Sequence, residues 1–243
     1  MAAAAESKPE EKKPEPPKFA FCLPLGLQSG VTNKLVLRGQ RIKDAAEVSL
    51  VGAETPYIAV VTKHEDAKPP DGYNADTVGD QSLEVEVFIP SGATSHTNLT
   101  WLIKTKDGEA RSISIPVFAT ERWVAENEPN NGFREAQIVR PGQVVVGNLG
   151  DTADADVFKI EAKAGQTLKA DLWAARLGSS LDAILTWYDA QGHILSVCDD
   201  AEGHDPVLRQ KAAADGPLFV VATMANERAA KTHAYLLKIS QEP

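Results

Sequence analysis

The chain has 243 residues, 43% hydrophobic and 24% charged, with a formal charge of −9 at pH 7 and a pI near 5.1. That length fits one large domain or two small ones, and the composition supports a packed core without special staples. The acidic balance argues against nucleic acid, which needs clustered Lys and Arg, and no apolar run approaches the ~18 residues that would cross a bilayer as a helix.

The opening "MAAAAESKPEEKKPEPPKF" has neither the basic start nor the apolar stretch of a secretory signal. Residues 1–18 read as a disordered Pro, Glu and Lys-rich tether, too polar to fold. If the alanine run is what a cleaved signal left behind, the protein is exported. Next come short segments with period-two alternation or apolar runs bounded by Gly, Pro or Asp: "NKLVLRGQRI" (33–42), "PYIAVVTK" (56–63), "SLEVEVFIP" (82–90), "LTWLIKTKDG" (99–108) and "RSISIPVF" (111–118). This pattern predicts strands, and Asp107-Gly108 predicts a tight hairpin joining the last two. Residues 64–81 carry breakers throughout and predict a long exposed loop, read as a mobile insertion.

A second strand set follows "ATERWVAENEPNNG": residues 142–149, 156–162, 166–174, 182–192, 193–199, 216–224 and 233–240. Turn signals such as "DAQGH" and "AADGP" separate most of them, and only "NNGFREAQIV" offers a short helical turn with an Asn cap. Regular short strands at this spacing predict an all-β protein of two domains, 19–120 and 121–243, each a β-sandwich or a closed barrel. Cys22 and Cys198 make neither a disulfide framework nor a zinc site of usual spacing, so two buried thiols are expected. Trp101, Trp173 and Trp187 fall in predicted strands and read as core, while Trp123 sits at the domain junction, as a wedge between the domains or an exposed ring.

Five pieces in order, "ENEPNN" (126–131), "GNLGDTADADVFKIEAKAGQTLKADL" (147–172), "LGSSLDAILTWYDAQGHILSVCDD" (177–200), "GHDPVLRQKAAADGPLFVVAT" (203–223) and "AYLLKI" (234–239), resemble the bacterial pre-peptidase C-terminal (PPC) domain. The resemblance implies a jelly-roll-like sandwich appended to exported bacterial proteins, non-catalytic, with calcium held by the acidic linker. The first half, through "PLGLQSGVTNKLVLRGQRIKDAAEVSL" (24–50) and residues 82–118, is similar to immunoglobulin-like domains of the IPT/TIG type.

Calcium takes six to eight oxygens from carboxylates, amide and backbone carbonyls and water. "ENEPNN" and "DTADADVF" (151–158) supply such oxygens, with Pro129 keeping the linker extended. The resemblance carries over Glu126, Glu128, Asn130, Asp154 and Asp156 as candidate ligands, and departs from the family at Asn131, where Asp is usual. A plainer reading stands beside it, in which these residues cap and solvate a hinge. Asp199, Asp200, Glu202 and Asp205 lack the spacing of a calcium hand and read as a solvated turn.

No Gly-x-Ser-x-Gly elbow, His-Glu-x-x-His pair or phosphate-cradling glycine loop occurs, and His64, His96, His193, His204 and His233 are scattered singly, most of them expected on the surface or in turns. The expectation is a non-catalytic exported binding or accessory protein, secreted, periplasmic or at the cell surface, with a calcium site at the interdomain junction and an extracellular protein or polysaccharide as partner. Two alternatives stay open: an accessory subunit of a cell-envelope assembly, and a hydrolase with a site outside these motifs.

Overall fold

The computed structural model describes residues 14–93, 99–119, 121–151, 153–226 and 230–243. The first 13 residues of the expected tether, and His96, lie outside the described residues.

The chain folds as two β-sandwiches. The first contains β1 (Lys18–Leu23), β2 (Leu27–Gln28), β3 (Val31–Gln40), β4 (Glu47–Val51), β5 (Tyr57–Ile58), β6 (Val60–Asp66), the one-turn helix α1 (Ala75–Val78), β7 (Gln81–Ile89), β8 (Thr100–Thr105), β9 (Gly108–Arg111) and β10 (Val117–Phe118). Two four-stranded antiparallel sheets, ordered β1-β3-β7-β6 and β5-β4-β8-β9, face each other. Alternation explains the pairing: β3 buries Leu35 and Leu37, and β7 buries Leu83, Val85, Val87 and Ile89, while Lys34 and Glu86 form an ion pair on the outer face. These residues meet Val48, Leu50, Trp101 and Ile103 of the other sheet in one core.

The second sandwich contains β11 (Arg122–Ala125), β12 (Gln137–Ile138), β13 (Gln143–Asn148), β14 (Ala155–Ala162), β15 (Thr167–Trp173), a 3-10 turn (Ala175–Leu177), β16 (Ala183–Tyr188), β17 (Ile194–Cys198), β18 (Val207–Lys211), β19 (Gly216–Met224) and β20 (Ala234–Glu242). Its two five-stranded sheets are ordered β11-β13-β20-β15-β18 and β12-β14-β19-β16-β17. Phe158, Leu185, Trp187 and Val220 from one sheet pack against Val145, Leu168, Leu172 and Leu237 from the other. Two pairings are parallel, β11 with β13 and β12 with β14, and they lie in different sheets. The segment between β11 and β12, residues 126–136, therefore crosses from one sheet to the other. "ENEPNNGF" is that crossing.

An apolar seam joins the sandwiches. Leu25 and Phe118 of the first pack with Val144, Leu177, Ala234 and Leu236 of the second. Trp123 meets the Phe118 ring edge-on at 5.9 Å, and Trp173 lies 5.8 Å from the same ring on a tilt. Trp123 thus serves as the wedge rather than as a free ring, and Trp173 belongs to the seam rather than to the inner core.

The all-β expectation holds, and several local readings change. Residues 64–81 are not a free loop: His64–Asp66 continue β6, Asn74 caps α1 by accepting from the Thr77 amide at 3.0 Å, and the Tyr73 hydroxyl lies 2.5 Å from His233 Nε2 of the second sandwich. β1, β4, β11 and β18 fall outside the predicted strands, because "KFAFCL", "EVSLV", "RWVA" and "VLRQK" mix charge and apolarity over only four to six residues. The predicted strand 111–118 is broken: Arg111 ends β9, an isolated bridge joins Leu99 to Ile115, and β10 pairs in parallel with β2. In the β8–β9 hairpin Thr105 pairs with Gly108, so the turn residues are Lys106 and Asp107. Both cysteines are free; Cys22 is buried and Cys198 only half-buried.

Because Phe118 fills the seam with both tryptophans around it, Phe118→Ala is expected to cost about 3–5 kcal/mol, read as a lower denaturant midpoint. A loss under about 1 kcal/mol would mean that the seam holds little.

Candidate metal centre

Strand alternation creates the site. On β14, Phe158, Ile160 and Ala162 point into the core, so Asp156, two residues before Phe158, points inward as well. Asp156 is fully buried at the end of the sandwich. Its Oδ2 accepts from the Tyr235 hydroxyl at 2.5 Å, and its Oδ1 is buried with no hydrogen-bond partner. A buried carboxylate oxygen without a partner costs free energy unless something positive meets it.

The crossing segment brings more negative charge to the same place. The Glu126 amide extends the parallel ladder by donating to the Val146 carbonyl at 3.0 Å, which holds the residue at the β13 edge. Its Oε2 accepts from the Asn148 amide at 2.6 Å and lies 3.5 Å from the Tyr235 hydroxyl. Glu128 caps the next turn, accepting from the Asn130 amide at 2.9 Å. Oxygens of Glu126, Glu128 and Asp156 all lie within 4.8 Å of one another. Around one calcium ion, ligand oxygens at about 2.3–2.6 Å stand up to about 5 Å apart on opposite sides, so this spacing fits such an ion.

The remaining candidates play different parts. Asn130 is buried, and its carbonyl accepts from the Val157 amide at 3.0 Å, stitching the crossing to β14. Its side-chain Nδ2 is buried and unpartnered, and the amide turned over would offer an oxygen there instead. Asp154 precedes β14 rather than sharing its alternation. Its Oδ2 closes the turn by accepting from Gly150 at 2.9 Å and Asp151 at 3.4 Å. Asn131, with its amide oriented to satisfy its neighbours, donates to Ala155 O at 3.2 Å and Asp154 Oδ1 at 3.3 Å. A neutral amide at 131 therefore holds Asp154 in place, where another acid would repel it.

Electrostatics follow from this crowding. Burial, reinforced by the neighbouring Glu126, raises the Asp156 carboxyl to about 8, and burial with Glu128 and Asp154 nearby raises Glu126 to about 7. The Tyr235 phenol is pushed well up for the same reasons. Among the described residues no Lys or Arg forms an ion pair with Glu126, Glu128, Asp154 or Asp156, although most other acids have such partners.

Two contributors escape a sequence reading. Tyr235, between Ala234 and Leu236 at the start of β20, places its hydroxyl between two carboxylates; a buried Tyr needs a polar partner, which is the one available signal. Gly147 leaves room for this arrangement, since a Cβ there would lie 2.3 Å from the Tyr235 hydroxyl and 2.4 Å from Glu126 Oε2. In the second acidic cluster Asp199, Asp200 and Glu202 are exposed, as expected of a solvated turn, and Asp205 departs from that expectation. Asp205 is fully buried and accepts from the amides of Ala174, Ala175 and Arg176 and from Arg176 Nε at 2.5 Å, fixing the 3-10 turn. His233 is buried too, between Tyr73 and Met224.

No family model matches the chain. A probable subtilase-type serine protease of Deinococcus radiodurans is 36% identical over 102 residues, which are 41% of this chain and 14% of that protein's length. The pre-peptidase C-terminal domain of a collagenase from Bacillus anthracis is 14% identical, with a TM-score of 0.37, over 47% of this chain and 99% of that one. PliG of Aeromonas hydrophila, a periplasmic inhibitor of g-type lysozyme, is 18% identical with a TM-score of 0.31, over 44% of this chain and 99% of its own.

Asp156 and Glu126 hold their protons more tightly when folded than when unfolded. Without metal, their contribution to stability is therefore full below about pH 4 and is lost as pH rises through about 7 to 8. In EDTA, the melting temperature of wild type relative to Asp156→Asn is expected to decline across that window. A constant difference from pH 4 to 9 would contradict the crowding.

Proposed function

We propose that this chain is a non-catalytic accessory part of an exported protein, an immunoglobulin-type sandwich followed by a PPC-type sandwich, whose crossing segment is ordered by one calcium ion. The observation that carries the reading is the fully buried Asp156, with one oxygen unpartnered and two further carboxylates converging on it. Asp156 comes from β14 of one sheet, Glu126 from the end of β11 of the other, and Glu128 from the crossing between them. A cation held by all three would fasten the two sheets at the mouth of the sandwich and fix the segment leading from the first sandwich into the second. When bound, calcium would supply positive charge and no redox or acid chemistry. Asn130 would turn its amide oxygen inward, Tyr235 would orient Asp156 through its hydroxyl, and Asn148 would orient Glu126 through its amide.

The resemblance of residues 126–240 to PPC domains agrees with this reading, as does the partial identity to a subtilase-type serine protease of which the matched stretch is a minor part. The described histidines also favour a non-catalytic role. His64 engages the Lys43 carbonyl, and His193 and His204 engage Asp189 and Asp200 at the surface. His233 is enclosed by Tyr73 and Met224, so its ring is committed to joining the sandwiches.

Thermal unfolding tests the reading. Calcium added to EDTA-treated protein at pH 7.5 is expected to raise the melting temperature of wild type, corresponding to about 2.7 kcal/mol at a hundredfold excess over Kd. Glu128→Ala and Asp156→Ala are expected to lose the rise. An equal rise in both variants, or none in wild type, would sink the calcium site. The full chain is also expected to leave casein and simple esters uncleaved, and turnover of either would favour a hydrolase.

A further inference from the structure

We infer that Asn131-Gly132 is a site of spontaneous deamidation, which turns the amide bridging the crossing segment to Asp154 into a carboxylate. Asn131 is the only asparagine of the chain that a glycine follows. The reaction needs the backbone nitrogen after an asparagine to reach that residue's side-chain carbonyl carbon. Glycine, with no Cβ, permits an approach that other residues obstruct.

The fold leaves this pair open to it. Asn131 is exposed and Gly132 half-buried, in a bend between β11 and β12 that belongs to no strand or helix. Among the described residues, none accepts from the amides of Asn131, Gly132, Phe133 or Arg134, so the attacking nitrogen has no hydrogen bond to break. The segment is pinned on either side instead: the Asn130 carbonyl accepts from Val157 at 3.0 Å, and the Glu135 amide donates to the Gly132 carbonyl at 3.1 Å. Asn127 and Asn130, in the same segment, precede Glu128 and Asn131, whose side chains crowd the approach, and Asn130 is also buried.

The chemistry needs only water. The Gly132 nitrogen gives up its proton to solvent and bonds to Asn131 Cγ, closing a succinimide ring, while the side-chain nitrogen takes up a proton and leaves as ammonia. One water then opens the ring. Cleavage between Cγ and the Gly132 nitrogen gives an aspartate at position 131, and cleavage of the backbone carbonyl from that nitrogen gives an isoaspartate, whose chain runs through Cβ. Nothing is oxidised or reduced.

Either product replaces a donor with a charged acceptor. In the aspartate, the oxygen standing in place of Nδ2 would face Ala155 O at 3.2 Å and Asp154 Oδ1 at 3.3 Å, the two groups that the amide serves. One more carboxylate thus joins the group around Asp156, and like charges so close repel. Without a cation, the modified crossing is held less firmly to the start of β14. With calcium bound, the added charge strengthens the hold on the ion, an effect that rests on the calcium site proposed above.

Incubation of the full chain at mildly alkaline pH in EDTA, followed by mass spectrometry of the tryptic peptide 123–134, reads the conversion; Arg122 and Arg134 bound that peptide. A gain of about 1 Da, growing with time and placed at Asn131 by fragment masses, is expected, with Asn127 and Asn130 unchanged. Gly132→Ala should slow it at least about tenfold. That variant should fold, because a Cβ there meets only the Glu135 carboxylate, the mobile end of a side chain, at 2.8 Å. Asn131→Asp, the product made directly, should melt lower than wild type in EDTA and gain more from calcium. An Asn131 that stays intact, conversion equally fast in Gly132→Ala, or an Asn131→Asp variant that melts like wild type in EDTA would overturn the inference. Conversion with no calcium response in either protein would uphold the modification and count against the calcium site alone.

Discussion

The arrangement depends on a carboxylate placed where strand alternation demands a core residue. Asp156 shares the inward face of β14 with Phe158 and Ile160, and its burial leaves one oxygen with nothing to accept from. A protein tolerates that cost only where another group compensates, and neither Lys nor Arg does so here. The residues around it crowd further negative charge toward the same point while each is held by its own backbone contact: Glu126 by the Asn148 amide, Glu128 by the Asn130 amide, Asp154 by the turn at Gly150. On the proposed calcium reading, the cation supplies the positive partner that these residues, each held in place, otherwise lack.

The chain that leads into this crossing also joins the two sandwiches. It leaves the first through Phe118, enters the second as β11 beside β13, and passes over the carboxylates before joining the other sheet as β12. The seam contributes apolar burial around Phe118, Trp123 and Trp173, and the Tyr73 to His233 contact fastens the opposite flank. The backbone links these features: the Leu149 amide donates to the His233 carbonyl at 3.1 Å, and Tyr235 follows two residues later with its hydroxyl between Asp156 and Glu126. Ordering of the carboxylates is therefore mechanically continuous with the contact between the sandwiches.

Much of this was legible in the residues alone, and the illegible parts have physical reasons. Alternation in "LEVEVFI" and "DVFKIEA" marks strands and their buried faces, because period two leaves one face apolar. Short strands such as β4 and β18 carry too few residues for a period to emerge. The acidic stretches announce oxygen ligands, yet Asp154 and Asp156 look equivalent in sequence; only the start of β14 at Ala155 separates a turn residue from an inward-facing one. Asp205 looks like its solvated neighbours Asp199 and Asp200, and its burial depends on amides about 30 positions away. His233 and Tyr73 are 160 residues apart, a distance that no local pattern crosses.

The most direct measurement is calorimetric titration of calcium into the metal-free chain near pH 7, repeated in buffers of different ionisation enthalpy. Carboxyls raised to about 7 and about 8 retain protons there, and a cation entering between them must displace protons. One ion per chain with net proton release is expected, so the observed heat changes with the buffer. Absence of saturable binding, or binding whose heat is the same in every buffer, would contradict it.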